Sequence, residues 1–214
     1  FGAGGTKLRS FGRRLQEPHH IIPMLHDFGL RPPLGNFQRV AAGVAANSTN
    51  IDFLTLSSAI SKGLSANWTV GNNGGALDTG SAAANTWYHV FLIKRPDTRV
   101  VDVMVSLSAT SPTLPTNYTL FRRIGSMKTD GSSQWIAFRQ FGDEFMWVTP
   151  IKDVDSGGFP ASDTPTAVNS VPSGHTAVKG FFNVTAFTAT AAQLQLYVRS
   201  GFMTSQAPAF GSSP

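Results

Sequence analysis

A pair of aspartates, Asp153 and Asp155, is the sequence feature that most resembles a metal site. Asp-x-Asp begins many calcium-binding loops, and the segment that follows is rich in glycine and serine. An EF-hand also needs an oxygen ligand at position 5 and glutamate at position 12, where this chain has Gly157 and Thr164. We therefore interpret the segment as an exposed loop, and a weaker calcium site at Asp153 and Asp155 stays open.

Two further groups of residues have the types that bind zinc or transfer protons. His19, His20 and His26 lie among prolines, which leave no helix to align them on one ion. Asp143 and Glu144 are neighbours in a predicted strand, so they point to opposite faces and do not form the carboxylate pair of a glycosidase. The sequence contains no cysteine. We predict no metal centre, no cofactor and no catalytic site, and we interpret the chain as a non-enzyme.

A surface-recognition site is predicted at an Asn/Gly-rich loop. Asparagine and glycine tolerate positive φ, which suits Asn72 and Asn73 to a tight connection. Trp68 precedes this loop and is the better placed of the tryptophans for exposure, where its ring could stack on a sugar. The candidate recognition residues are Trp68, Asn72 and Asn73. Trp87 and Trp147 lie in strand patterns and are expected in the core.

Strands are the elements expected to position these residues. The chain is 41% hydrophobic and only 14% charged, against about 25% charged residues in ordinary globular proteins. Bursts of apolar β-forming residues are separated by turn signals such as Pro96-Asp97 and Asp130-Gly131. The clearest predicted strands are residues 50–60, 86–95, 101–107, 119–128, 134–141, 144–149, 177–187 and 193–200.

The strand at residues 101–107 shows alternation. Val101, Val103, Val105 and Leu107 should face the core, whereas Asp102, Ser106 and Ser108 should face solvent, and Met104 on that side is the exception. About eight to ten strands with turn signals every 8–12 residues predict an all-β fold. We expect an antiparallel, jelly-roll-like β-sandwich over residues 37–200, followed by a C-terminal tail at residues 201–214.

Residues 1–36 are predicted to form an extended basic arm. The formal net charge is +5, and residues 1–40 contribute +4 of it, from six basic and two acidic residues. Prolines and glycines interrupt the arm, so its apolar residues cannot build a core and should become ordered on a partner. Packing against its own domain is the alternative. The predicted partner-binding residues of the arm are Arg9, Phe11, Arg13, Arg14, Ile21, Ile22, Leu25 and Phe28.

The basic charge alone does not predict nucleic-acid binding, because no base-reading or interleaved aromatic pattern accompanies it. No apolar run reaches the length of a membrane span, so no membrane insertion is expected. The chain begins with Phe1 and lacks the apolar region of a signal peptide. We interpret this as a fragment, a processed product or a chain whose start is missing.

Residues 85–148 resemble a segment that recurs in virion structural proteins of tailed bacteriophages, particularly tail-fibre and fibre-like proteins. The resemblance covers about a third of the chain and contains no catalytic motif. The residues that carry it are Thr86-Trp87-Tyr88-His89-Val90, Ser108-Ala109-Thr110-Ser111-Pro112-Thr113-Leu114-Pro115, Tyr118-Thr119, Arg122-Arg123-Ile124-Gly125-Ser126 and Asp130-Gly131.

This resemblance implies a structural protein of the phage particle, assembled as a trimer and attached through the N-terminal arm. Its implied partners are other copies of itself, other virion proteins of the tail, neck or capsid, and a host cell-surface glycan. A capsid or collar decoration protein is one alternative. A carbohydrate-binding or depolymerase module is another.

Overall fold

The computed structural model describes residues 36–141, 144–153 and 168–172. These residues form ten strands and no helix, which confirms the all-β prediction for the described part. The backbone divides into two units, residues 1–148 and residues 149–214, and all ten strands belong to the first. The strands are β1 (Phe37–Val40), β2 (Gly43–Ala46), β3 (Phe53–Leu56), β4 (Ile60–Asn67), β5 (Gly74–Leu77), β6 (Trp87–Lys94), β7 (Val101–Ser106), β8 (Leu120–Lys128), β9 (Phe138–Phe141) and β10 (Glu144–Trp147).

Six of the strands form one mixed sheet in the order β1-β4-β5-β7-β6-β8. The hairpins β2–β3 and β9–β10 form two separate two-stranded sheets. Strand β5 runs parallel to both of its neighbours, β4 and β7, whereas the other pairs in the large sheet are antiparallel. The expectation of a purely antiparallel arrangement is therefore wrong.

The connection between β4 and β5 explains this difference. Instead of closing a hairpin, it returns the chain to the start of β4, so that Gly74 pairs with Lys62. Gly71 has a φ of 92° and Asn73 a φ of 61°, the left-handed conformation that such a reversal requires. The positive φ of this Asn/Gly loop was thus predicted correctly, but the direction of strand β5, which follows it, was not.

The predicted strands at residues 86–95, 101–107 and 119–128 correspond to β6, β7 and β8. Residues 50–60 do not form one strand as predicted, because a Ser-Ser turn separates β3 from the start of β4. The predicted strands at residues 177–187 and 193–200, the N-terminal arm and the C-terminal tail lie outside the described residues.

Both faces of the large sheet carry apolar clusters. The first face presents Tyr88, Val90 and Leu92 of β6, which share one cluster with Leu54 of β3 and Trp147 of β10. The two hairpins therefore contribute to the core on this face. The second face presents a smaller cluster, with Phe91, Ile93, Met104 and Tyr118 as its buried members.

The loop after β7 changes the environment of that strand. Its residues Leu114 and Tyr118 pack against the second face, together with Trp68. As a result Asp102 and Ser106, which were predicted to face solvent, are buried at 1% and 2% exposure. Alternation predicted correctly that Asp102 and Ser106 share a face, but it could not predict that the loop after β7 covers this face. Leu107, which was predicted to face the core, is 58% exposed.

Candidate functional site

Three connections border a cleft of about 390 Å³. They are the turn between β3 and β4, the connection between β4 and β5, and the turn between β6 and β7. Hydroxyl, amide and guanidinium groups lie beside apolar side chains, a mixture that suits a small polar ligand. The lining residues are Thr55, Leu56, Ser57, Ser58, Ala59, Ile60, Gly71, Asn72, Arg99, Val100 and Val101.

Of the three predicted recognition residues, Asn72 alone lines this cleft. The Oδ1 atom of Asn72 accepts a hydrogen bond of 2.7 Å from the backbone N–H of Ser61, and the N–H of Asn73 donates to the Ser61 carbonyl at 2.7 Å. Both asparagines therefore fix the loop against β4. A role of Asn72 and Asn73 in recognition stays a prediction.

Trp68 is half-buried rather than exposed. Its Nε1–H donates to the carbonyl of Val103 at 3.0 Å, and its ring meets Tyr118 edge to face with 5.1 Å between the centroids. Trp68 therefore packs against the second face of the sheet, whereas the recognition role predicted from the sequence would need an exposed ring. Trp87 and Trp147 are also half-buried, and their rings lie 5.6 Å apart.

Behind the loop, Lys62 of β4 and Asp102 of β7 form a buried ion pair. The Nζ atom lies 3.0 Å from Oδ1 and 3.2 Å from Oδ2, and the two side chains are 0% and 1% exposed. Desolvation lowers the pKa of Lys62, and the hydrogen bond and charge of Asp102 oppose that shift. A buried charge pair in so weakly charged a chain is the most unusual chemical feature of the described residues.

Backbone groups complete the surroundings of this pair. The N–H groups of Gly71 and Val103 donate to the two carboxylate oxygens of Asp102 at 2.7 and 2.6 Å. The ammonium group of Lys62 donates to the carbonyl of Thr69 and lies 5.2 Å from the centre of the Trp68 ring. The pair thus joins β4, the loop and β7, and sequence inspection missed it because its members are 40 residues apart.

A second polar network lies on the same face. The Nδ1 atom of His89 is 2.9 Å from Ser126 Oγ, and Arg123 donates to the same oxygen at 2.9 Å. Desolvation lowers the pKa of Arg123. In the β6–β7 register His89 pairs with Ser106, while Asp102 pairs with Ile93. Four residues of strand, about 13 Å, separate histidine from aspartate, so they do not form a Ser-His-Asp arrangement.

Asp153 belongs to the second unit of the chain, where both of its carboxylate oxygens accept hydrogen bonds from Ser170. Its proposed calcium-binding partner Asp155 lies outside the described residues. Among the residues that are described, no group of three or more His, Cys, Asp or Glu side chains could hold a metal ion. The histidines of the arm also lie outside, as do the predicted arm contacts Arg9, Phe11, Arg13, Arg14, Ile21, Ile22, Leu25 and Phe28.

No protein-family model matches this chain, and no curated protein or solved structure is significantly similar to it. In the part of the chain that is described, there is no helix with the length and hydrophobicity of a membrane span.

Proposed function

We propose that this chain is a non-enzymatic structural component of a tailed-phage particle, a tail-fibre or fibre-like protein that assembles as a trimer. The observation that supports this role most strongly is where the residues of the phage-like segment lie. The residues that carry the resemblance lie in β6 and β8, at one end of the six-stranded sheet, and in the loops and turns beside these strands, whereas other residues line the cleft. What resembles the phage proteins is therefore a scaffold.

The turns of this segment illustrate the point. Tyr118 is 7% exposed and packs on the second face of the sheet. The N–H of Asn85 donates to the carbonyl of Asp130 at 2.8 Å, and the N–H of Thr86 donates to Thr129 Oγ1 at 2.9 Å. These contacts hold the end of β8 against the start of β6. Residues that serve packing and turn formation are more typical of a structural protein than of an enzyme.

The finer architecture is part of the same proposal. The hairpins β2–β3 and β9–β10 pack their inner residues against the first face of the large sheet. We propose that they belong to the second layer of a jelly-roll-like β-sandwich. Two apolar layers facing each other across a shared core define such a sandwich.

Contacts with other copies are supported by apolar side chains on the outer side of the β2–β3 hairpin. Val44 and Phe53 point away from the core at 42% and 52% exposure, and Ile51, in the connecting turn, is 79% exposed. Large exposed apolar residues that cluster on one element are typical of an interface. The basic arm would supply the separate attachment to an acidic surface of the particle.

The cleft favours a second role in the same particle, contact with a host cell-surface glycan. Sugars are recognised by hydroxyl, amide and guanidinium groups beside apolar surface, and Asn72, Ser57 and Arg99 offer these groups. Loops held by a rigid scaffold are the usual place for such recognition. A decoration protein of the capsid or collar would use the same scaffold without this contact.

The attachment role predicts that replacing Arg9, Arg13 and Arg14 together by alanine reduces incorporation into phage particles by about tenfold or more. Three exposed ion pairs at about 0.2–1 kcal/mol each account for a change of this size. Quantitative mass spectrometry of purified particles measures the incorporation. The matched control replaces three exposed basic residues of the described region, Arg39, Arg139 and Lys152, which removes the same charge.

Equal incorporation of the arm variant and the control would show that the arm is not the anchor. Absence of the unsubstituted chain from the particles, with the protein present in the soluble fraction, would reject the virion role itself.

A further inference from the structure

The contact between Lys62 and Asp102 has the geometry of two reactants. We propose that the side chains of Lys62 and Asp102 condense to an intramolecular isopeptide bond, a covalent cross-link between β4 and β7. The proposal does not depend on the phage assignment. The groups that each step of the condensation needs already surround the pair in the fold.

Proximity is the first requirement. The Nζ atom lies 3.0 and 3.2 Å from the two carboxylate oxygens of Asp102, so the carboxyl carbon that bears them is within its reach. Both side chains are buried and come from strands of one sheet, so neither can move away from the other. Well-oriented intramolecular reactions reach effective concentrations of about 10⁵–10⁸ M.

The second requirement is a neutral amine, because only the unprotonated nitrogen carries a lone pair that can attack. Desolvation lowers the pKa of Lys62. Burial makes two separate charges costly, and passing the ammonium proton across the 3.0 Å contact to the carboxylate neutralises both groups at once. This transfer gives an amine and a carboxylic acid in contact, with no net change in charge.

The third requirement is stabilisation of the oxyanion that forms when nitrogen attacks the carboxyl carbon. Two backbone N–H groups already point at the carboxyl oxygens, Gly71 at 2.7 Å and Val103 at 2.6 Å. Each carboxyl oxygen has one of these donors, so whichever oxygen stays on the carboxyl carbon has a backbone N–H to stabilise its developing negative charge. Since both belong to the backbone, they need no rearrangement during the reaction.

The step balances without any co-reactant. The lone pair of Lys62 Nζ forms a bond to Cγ of Asp102, and one C–O bond of the acid breaks. The departing oxygen keeps its own proton, takes one from the nitrogen and leaves as water. Nothing is oxidised or reduced. The remaining N–H of the amide keeps the carbonyl of Thr69 as acceptor. The product removes two buried charges and with them their desolvation cost.

A second ion pair of the chain provides an internal control. Lys94 and Asp52 lie only 2.7 Å apart, but their side chains are 13% and 40% exposed. Both side chains there are partly open to solvent, so the charged pair carries a smaller desolvation cost than the Lys62–Asp102 pair. Distance alone would predict a bond at both sites, whereas the proposal predicts one at Lys62 and Asp102 only.

The test is the intact mass of the full chain, followed by peptide mapping. We expect a mass lower than that of the sequence by one water molecule, and a branched peptide that joins Lys62 to Asp102. Lys62→Arg should restore the full sequence mass of that variant, because guanidinium stays protonated. Lys94→Arg should leave the water loss intact. Asp102→Asn should lose ammonia instead and reach the same final mass as the unsubstituted protein.

An unsubstituted chain that keeps its full sequence mass would overturn the proposal, and so would a branch point at any other pair of residues. Neither result depends on whether a variant folds.

Discussion

The single replacement Asp102→Ala should be less stable than the double replacement Lys62→Met/Asp102→Leu by about 3–5 kcal/mol in the free energy of unfolding. Both variants remove the acceptor of the Gly71 and Val103 N–H groups, but only the single variant leaves the ammonium group of Lys62 buried without its counter-ion. The double variant fills the same space with apolar side chains and leaves no buried charge. Neither variant can form the amide, so the cross-link does not affect the comparison.

Urea denaturation of the two variants measures this difference. The converse single variant, Lys62→Met, should be less damaging than Asp102→Ala, since the Asp102 carboxylate keeps its two backbone donors. Removing the lysine of the more exposed pair, by Lys94→Met, should cost less than either. Equal stability of Asp102→Ala and the double variant would mean that the two side chains are not buried together.

The replacement Gly75→Ala should destabilise the fold by about 3 kcal/mol or more. A Cβ atom at Gly75 would overlap the carbonyl oxygen of Asn67 and would lie 2.7 Å from the carbonyl oxygen of Ala66. Both obstacles are backbone atoms of β4, so relief requires separation of the parallel pair β4–β5 and not merely a rotamer change. The free energy of unfolding from a denaturant titration gives the size of the effect.

Gly131→Ala is the matched control for this replacement. A Cβ atom at Gly131 meets no other atom within 4 Å, so this change should alter stability by no more than about 1 kcal/mol. If Gly75→Ala were as well tolerated as Gly131→Ala, β4 and β5 would not lie side by side in the parallel register. The same result would remove the basis for placing Gly71 beside Asp102.

Strands β6, β7 and β8 could be predicted from the sequence because each is a burst of apolar residues next to a strong turn signal. Their pairing is also local, since β6 hydrogen-bonds to both β7 and β8. Strand β5 could not be predicted in this way. Its segment Gly74–Leu77 begins with two glycines, and its parallel pairing depends on how the residues before it reverse the chain.

The residues of the candidate site also differ in whether the sequence could predict them. Asn72 could be identified because Asn/Gly-rich loops have a local signature, and the structure places it at the cleft. The burial of Asp102 could not, because the residues that cover it, Trp68 and Tyr118, come from two other parts of the chain. The residues around Lys62 in the sequence do not indicate that it is buried, for the same reason. A single charged residue in a strand is ordinarily exposed, and only its distant partner makes burial favourable.

The most direct test of the proposed fibre-like assembly is the solution mass of the full chain, measured by light scattering over a range of concentrations. A trimer predicts about three times the chain mass of 22.8 kDa, unchanged on dilution through the micromolar range. A mass of one chain at every concentration would contradict self-assembly and would favour a decoration or sugar-binding module whose arrangement is imposed by the particle.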